Sequence, residues 1–443
     1  MKSFSLLLTT ALVLGTAAHA QIAPHVVRTK ISGIDVIAYK TGVQDVVTIK
    51  GSLPAGDAHA GDGNVAVPTL TGMLLEQGTT KQDKFAIADK LESVGATIEF
   101  SVNTQAVEIS AKCLKKDMPL VIGLIAEQLR EPALSAEEFE KSKKEYAGNL
   151  QRSMENTDYR ASEAFNRAVY PVGHPNRPPT DEEMLAAIDK ATLDEVKAFH
   201  KKFYGPAHMT LVVVGDVDAP ALQSEVGKDF AGWTGGADYI HPAKSNGTDA
   251  AKELDVFMPD KTSVSVVWGQ PSGLRYSDPD YQAVRVATAI LGSGFTGRLM
   301  GNVRDKEGLT YGIGAGLAHD SFSDGDWKIS ATFAPALLDK GIASTKNQLT
   351  KWYNDGVTDK ELADRKTNLV GTFKVALATT DGMAGSLLAA THRGYDVTWL
   401  DEYPKKVSAL TLPQVNSAIK KYLDPEKMVL VKAGTVTGAA PTK

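Results

Sequence analysis

The chain has 443 residues, 43% hydrophobic and 23% charged, with a formal net charge of -5 and a single cysteine, Cys113. This is ordinary globular composition, without the basic footprint of a nucleic-acid binder. One cysteine excludes both a disulfide framework and a zinc site built from several cysteines.

The first predicted element is an export signal over residues 1–20. Met1-Lys2 carries the positive charge, Leu6 to Leu14 is a short apolar run, and Ala18-His19-Ala20 is an A-x-A cleavage site. The run is too short for a membrane span of ~20 residues. The expectation is a chain that begins at Gln21, has no membrane anchor after cleavage and resides in the periplasm.

A strand around Val46, Thr48 and Lys50 then runs into Pro54-Ala55-Gly56. Thr97 to Val107 alternates as a strand, and Ala106 to Ala111 continues it. Leu120, Val121, Leu124, Ile125 and Leu129 recur at helical spacing, with Pro119 suited to the first turn. Ser135-Ala136-Glu137-Glu138 is a capping box that opens the next helix. Ala191 to Phe203 is helical, breaks at Gly205-Pro206, and leads into an apolar strand from Met209 to Val214.

Residues 236–251 gather Gly, Asp, Ser and Asn and read as a linker. Beyond it, a second Val-rich strand runs into Pro271-Ser272-Gly273. Tyr281 to Leu291 is helical. Gly292-Ser293-Gly294-Phe295-Thr296-Gly297 satisfies G-x-G-x-x-G, but the dinucleotide fingerprint needs a strand before it, so a flexible connection between helices is the competing reading. Leu299, Met300 and Val303 place Arg304 on an amphipathic helix that Gly308 stops. Tyr311, Ile313, Ala315 and Leu317 alternate as a strand.

The chain repeats itself. Leu410-Thr411-Leu412 through Lys420-Lys421-Tyr422, Pro425, Met428 and Gly434 matches Ala191-Thr192-Leu193 through Lys201-Lys202-Phe203, Pro206, Met209 and Gly215. Thr358-Asp359-Lys360-Glu361 matches the capping box at Ser135. The two Val-rich strands match each other in the same order. The repeat gives two homologous halves, residues 21–235 and 252–443. Strands separated by helices fit either a parallel sheet or an α+β sheet.

On these motifs the chain resembles the two-half zinc peptidases related to pitrilysin, insulin-degrading enzyme and the mitochondrial processing peptidase. The resemblance covers essentially the whole chain after the signal. It implies an α+β fold of two homologous halves, each a mostly antiparallel sheet with helices packed on one face, joined as one half of a clamshell. In that family the first half carries H-x-x-E-H on a helix shortly before Gly-Thr, and a later glutamate completes the zinc site.

Here the stretch Val67 to Thr79 ends in the expected Gly78-Thr79, but the histidine positions are Thr69 and Met73, and the glutamate position is Gly72. Thr69 is a poor zinc ligand, Met73 suits softer metals, and Gly72 has no side chain. Glu145 lies where the third ligand would be sought and is expected on a helix surface. No two of the nine histidines have i,i+3 or i,i+4 spacing. His174, in Pro171-Val172-Gly173-His174-Pro175, matches a family loop with a structural role, and most of the others are expected in solvent.

Arg304 and Tyr311 match a pair that, in the family, comes from the second half and faces the zinc site of a catalytic half. Gly292, Gly294 and Gly297 resemble the glycine-rich loop of a non-catalytic processing-peptidase subunit, where it handles substrate. The resemblance therefore implies a non-catalytic subunit of a heterodimeric zinc peptidase. An H-x-x-E-H-containing homologue would supply the zinc, peptides would be the substrate, and closure around them would hinge at the linker. The alternatives are an inert scaffold member of the same family and an independent hydrolase with a rearranged site.

Overall fold

The computed structural model describes residues 21–244 and 251–436. The export signal at 1–20 and part of the 236–251 linker lie outside the described residues.

The first half contributes six strands: β1 Val26–Ile31, β2 Ile34–Lys40, β3 Val46–Leu53, β4 Thr97–Val102, β5 Val107–Leu114 and β6 Thr210–Gly215. The second contributes β7 Lys252–Phe257, β8 Val264–Pro271, β9 Thr310–Ala318, β10 Asp326–Phe333 and β11 Val429–Gly434. The first-half helices are α1 Val67–Leu74, α2 Lys84–Glu92, α3 Met118–Arg130, α4 Ala136–Met154, α5 Thr157–Val169, α6 Asp181–Lys190, α7 Leu193–Phe203 and α8 Ala219–Asp229. The second-half helices are α9 Tyr281–Gly292, α10 Leu338–Asp355, α11 Asp359–Ala376, α12 Thr380–His392, α13 Trp399–Ala409 and α14 Leu412–Tyr422.

The sheet orders expose the repeat. One sheet runs β1-β2-β6-β3-β5-β4 and the other β7-β11-β8-β10-β9. Without β1 the two orders are the same, each with one parallel pair, β2–β6 and β7–β11, and antiparallel pairing elsewhere. The paired elements also explain two repeated glycines. Gly215 and Gly434 end β6 and β11 with φ of +139° and +144°, each with its Cα against the backbone of the strand beside it. A side chain at either position would be strained and crowded.

Two details differ from the sequence pattern. Thr97 to Ala111 is not one strand but the hairpin β4–β5, turned at Asn103, whose Oδ1 accepts from the backbone N–H groups of Gln105 and Ala106 at 2.8 and 2.9 Å. Asn can build such a turn without Gly or Pro. Ser135 caps α4, but Glu138 does not return the bond; its carboxylate meets Lys84 and Lys141 instead. The box at Thr358–Glu361 is complete.

The halves exchange helices. Helix α12 packs on β3 and β6 of the first sheet, and its counterpart α5 packs on β8 and β11 of the second. Each sheet therefore has its own helices on one face and a borrowed helix on the other. Alternation along β6 shows this: Leu211 and Val213 belong to the first half's core, whereas Val212 and Val214 join the second half's core. Phe165 and Val169 of α5 pack against Val267, Val429 and Val431. The start of each borrowed helix is pinned by a hydroxyl pair, Thr157–Ser265 and Thr48–Thr380, both at 2.8 Å. The far ends are pinned by Tyr170, which donates to Asp326 at 2.8 Å, and by His392, 2.6 Å from the Ser52 hydroxyl.

Candidate functional site

Thr69, Gly72 and Met73 lie on α1, which has a proline in its first turn. Thr69 donates to Asp57 at 2.9 Å. Asp57 keeps some surface but is densely enclosed. Its burial pushes the carboxyl up to about 6, with the Thr69 bond offsetting only part of that rise. A Cβ on Gly72 would collide with Cγ2 of Val102, on edge strand β4. The Met73 thioether packs against the first half's core. Glu145 is exposed on α4. Its neighbour Tyr146 is the inward residue; burial, with the Asp57 charge second, pushes its phenol up to about 12.

The position thus holds a hydroxyl, a carboxyl, a phenol and a thioether. Zinc takes imidazole, thiolate or carboxylate donors in a tetrahedral set. Among the described residues no three His, Cys, Asp or Glu side chains converge as such a set. The residues present do not fit zinc, and no hydrolytic step through a metal follows from this chain.

Of the histidines expected in solvent, His25, His208, His241 and His319 are exposed, whereas His59, His200 and His392 are not. His59 is buried, with Nε2 3.0 Å from the Asp238 carbonyl. His392 is half-buried, and its burial, helped by the Arg393 charge, lowers it to about 4. His174 is buried, stacked on Tyr170 at 4.6 Å beside the junction of the halves.

The second half presents a different surface. Arg304 sits on a π-helix, Met300–Lys306. Gly308, with φ +65°, turns the chain after it, and Tyr311 follows near the start of β9. Both side chains line one groove of about 450 Å3, together with Thr262, Ser263 and Thr310. Arg304 contacts Asp305 at 3.1 Å and lies over the Phe295 ring at 5.4 Å. Phe295 is 71% exposed and Tyr311 94% exposed. The Tyr311 hydroxyl has no partner among the described residues. Two aromatic rings and a guanidinium are thus displayed outward, although exposed aromatic side chains forgo burial worth about 1.5–3 kcal/mol each. The sequence pattern singled out Arg304 and Tyr311 but missed Phe295, which was legible as a large apolar residue inside a glycine loop.

The three glycines have separate structural reasons. Gly292 ends α9 against β9, where a Cβ would run into the backbone of Ala315. Gly294 has φ +67°, and Gly297 sits where the loop folds back on Ser293. The loop connects α9 to the π-helix, so it lacks the strand that a dinucleotide site requires. It does place Phe295 over Arg304.

Comparison with known proteins gives two family matches. Residues 39–178 match the model described as Insulinase (Peptidase family M16), and residues 190–369 match the Peptidase M16 inactive domain. The chain is 22% identical to the non-peptidase homolog YmxG of Helicobacter pylori, over 96% of both chains. It is also 22% identical to an uncharacterized zinc protease of Streptomyces coelicolor, over 83% of this chain and 81% of the relative. Among solved structures, a peptidase M16 inactive domain from Pseudomonas fluorescens superposes with a TM-score of 0.84 at 25% identity, covering 94% of this chain and all of that one. A protease from Helicobacter pylori superposes with a TM-score of 0.82 at 18% identity, covering 92% of this chain and 98% of the other.

Proposed function

The chain belongs to peptidase family M16, the insulinase family, as a member without the zinc motif, and from that premise we propose that it is the non-catalytic, substrate-binding subunit of a heterodimeric zinc peptidase acting on peptides in the periplasm. The observation that carries this reading is the asymmetry of the halves. The first half has Val102 packed where a side chain at Gly72 would stand. The second half holds Arg304 and Tyr311 in an open groove, with the tyrosine almost wholly in solvent.

A tyrosine displayed this way is free to meet a ligand or another chain. Peptide hydrolysis builds negative charge on the carbonyl oxygen, and a tyrosine O–H and a guanidinium are both donors suited to it. An H-x-x-E-H-containing homologue would bring its own zinc and place the reacting carbonyl in the groove. Each prearranged donor of this kind is worth ~3 kcal/mol, or ~100-fold in turnover. The loop Gly292–Gly297, with Phe295 at its tip, would contact the peptide beside the donors.

The test uses the complex recovered with its partner. Arg304→Ala and Tyr311→Phe are expected to lower chelator-sensitive peptide hydrolysis ~10- to 100-fold while the two chains still co-purify. Full activity in both assembled variants would remove the assisting role. Stable assembly with no peptidase activity, even in the unaltered complex, would favour the inert scaffold. Chelator-sensitive hydrolysis by the isolated chain would favour an independent hydrolase.

A further inference from the structure

We propose that the cleft between the two halves, away from the Arg304 groove, is a binding site for a small oxyanion, a carboxylate or a phosphate. The cleft has a volume of about 620 Å3. Its walls come from β1 and β2 of the first half, from the segment that joins the halves, and from the second half.

Charge is the first argument. Four fixed cations line the cleft, Arg28, Lys30, Arg275 and Arg393, against two carboxylates, Asp35 and Asp238. The chain as a whole carries -5, so the cleft has the opposite sign to its protein. Arg28 is spoken for, bonded to Asp35 through Nε at 3.0 Å, and Asp396 also acts on it. Asp238 faces His208 at 3.4 Å. The other three cations make no ion pair among the described residues. A cleft focuses the field of its lining charges.

Geometry is the second argument. Arg393 lies over the Tyr276 ring, its Cζ 3.6 Å from the ring centre, with Nε 3.3 Å from the Ser321 hydroxyl. Arg275 donates one guanidinium N–H to the Pro242 carbonyl at 2.6 Å. Guanidinium forks match the oxygens of carboxylate and phosphate. Arg393 is therefore held in place by stacking and Arg275 by its bond to the Pro242 carbonyl, and neither guanidinium is neutralised by an ion pair among the described residues.

A ligand here touches both halves, so its binding stabilises the whole fold by mass action. The experiment is thermal unfolding of the full chain at fixed ionic strength, with chloride replaced stepwise by inorganic phosphate. A parallel series uses a short peptide with a free C-terminus and the same peptide amidated. The midpoint is expected to rise saturably, and Lys30→Gln and the double variant Arg275→Gln/Arg393→Gln are each expected to weaken the apparent affinity by about tenfold or more. Lys30 is exposed on β1, so its replacement leaves the packing intact if the double variant unfolds. Saturation by phosphate alone assigns the site to a free ion. Saturation by the free-terminus peptide, but not by its amide, assigns it to the end of a peptide chain. No saturable shift with either, or equal shifts in all variants, overturns the proposal.

Discussion

Val102 and Gly72 are matched, and the match makes the loss of zinc chemistry structural as well as chemical. Restoring ligands alone, as Thr69→His/Gly72→Glu/Met73→His, forces a side chain into Val102. Overpacking of this kind costs about 1–3 kcal/mol. The triple variant is expected to unfold earlier in denaturant and to bind no zinc. Adding Val102→Ala should recover most of the stability, and equal midpoints with and without that change would refute the clash. A second residue-scale prediction concerns pH. His392 is lowered to about 4 from an ordinary 6.5. Between those values the unfolded chain binds the proton and the folded chain does not, so stability falls as pH drops from about 6.5 to 4. Asp57 is raised to about 6 from 3.8, so its contribution runs the other way, lost as pH rises toward 6. The two slopes oppose each other. On lowering pH from 8 to 5, His392→Gln should lose about 1–2 kcal/mol less stability than the parent chain, and Asp57→Asn about 1 kcal/mol more. Identical pH profiles for all three proteins would contradict the assigned shifts.

Much at the element scale was legible because it is local. The spacing of Leu120 to Leu129 gave α3, and the repeated segments from Ala191 and Leu410 gave α7 and α14, whose complete capping boxes at Thr192 and Thr411 the structure adds. The Asn103 turn was hidden because its signal is one side chain bonding back to the chain. Glu138 was misassigned because an ion pair with Lys84 and Lys141 outcompetes a cap, and only the fold brings Lys84 there. The exchange of α5 and α12 was illegible for a stronger reason: an apolar helix face says that it is buried, not which sheet buries it. Phe165 is wholly buried in the borrowed position. Phe165→Ala should cost about 3–5 kcal/mol. Because that helix belongs to one half and its contacts to the other, the loss should lower the midpoint of the entire chain in a single transition. A split transition, with one half unaffected, would mean that the halves are energetically separate.

At the scale of the molecule, the candidate site was legible as residues but not as surroundings. Arg304, Tyr311 and the altered zinc positions could be named from motifs; Val102, Asp57, Tyr146 and Phe295 reach them through folding. The exchanged helices also conflict with a hinge between the halves at 236–251, since opening it would strip α12 from β3 and β6. Under the proposed heterodimer, a closing motion would belong to the contact between the two chains. The interlock has a historical corollary. A lone half would have one bare sheet face and one helix with nothing to lie on, each the complement of the other. Two copies of such a unit satisfy both needs by lending helices reciprocally, so the present chain has the form of an ancestral homodimer fused after gene duplication. Residues 21–235 and 252–443, produced as separate polypeptides, should accordingly be insoluble or self-paired alone and recover a 1:1 folded complex when refolded together.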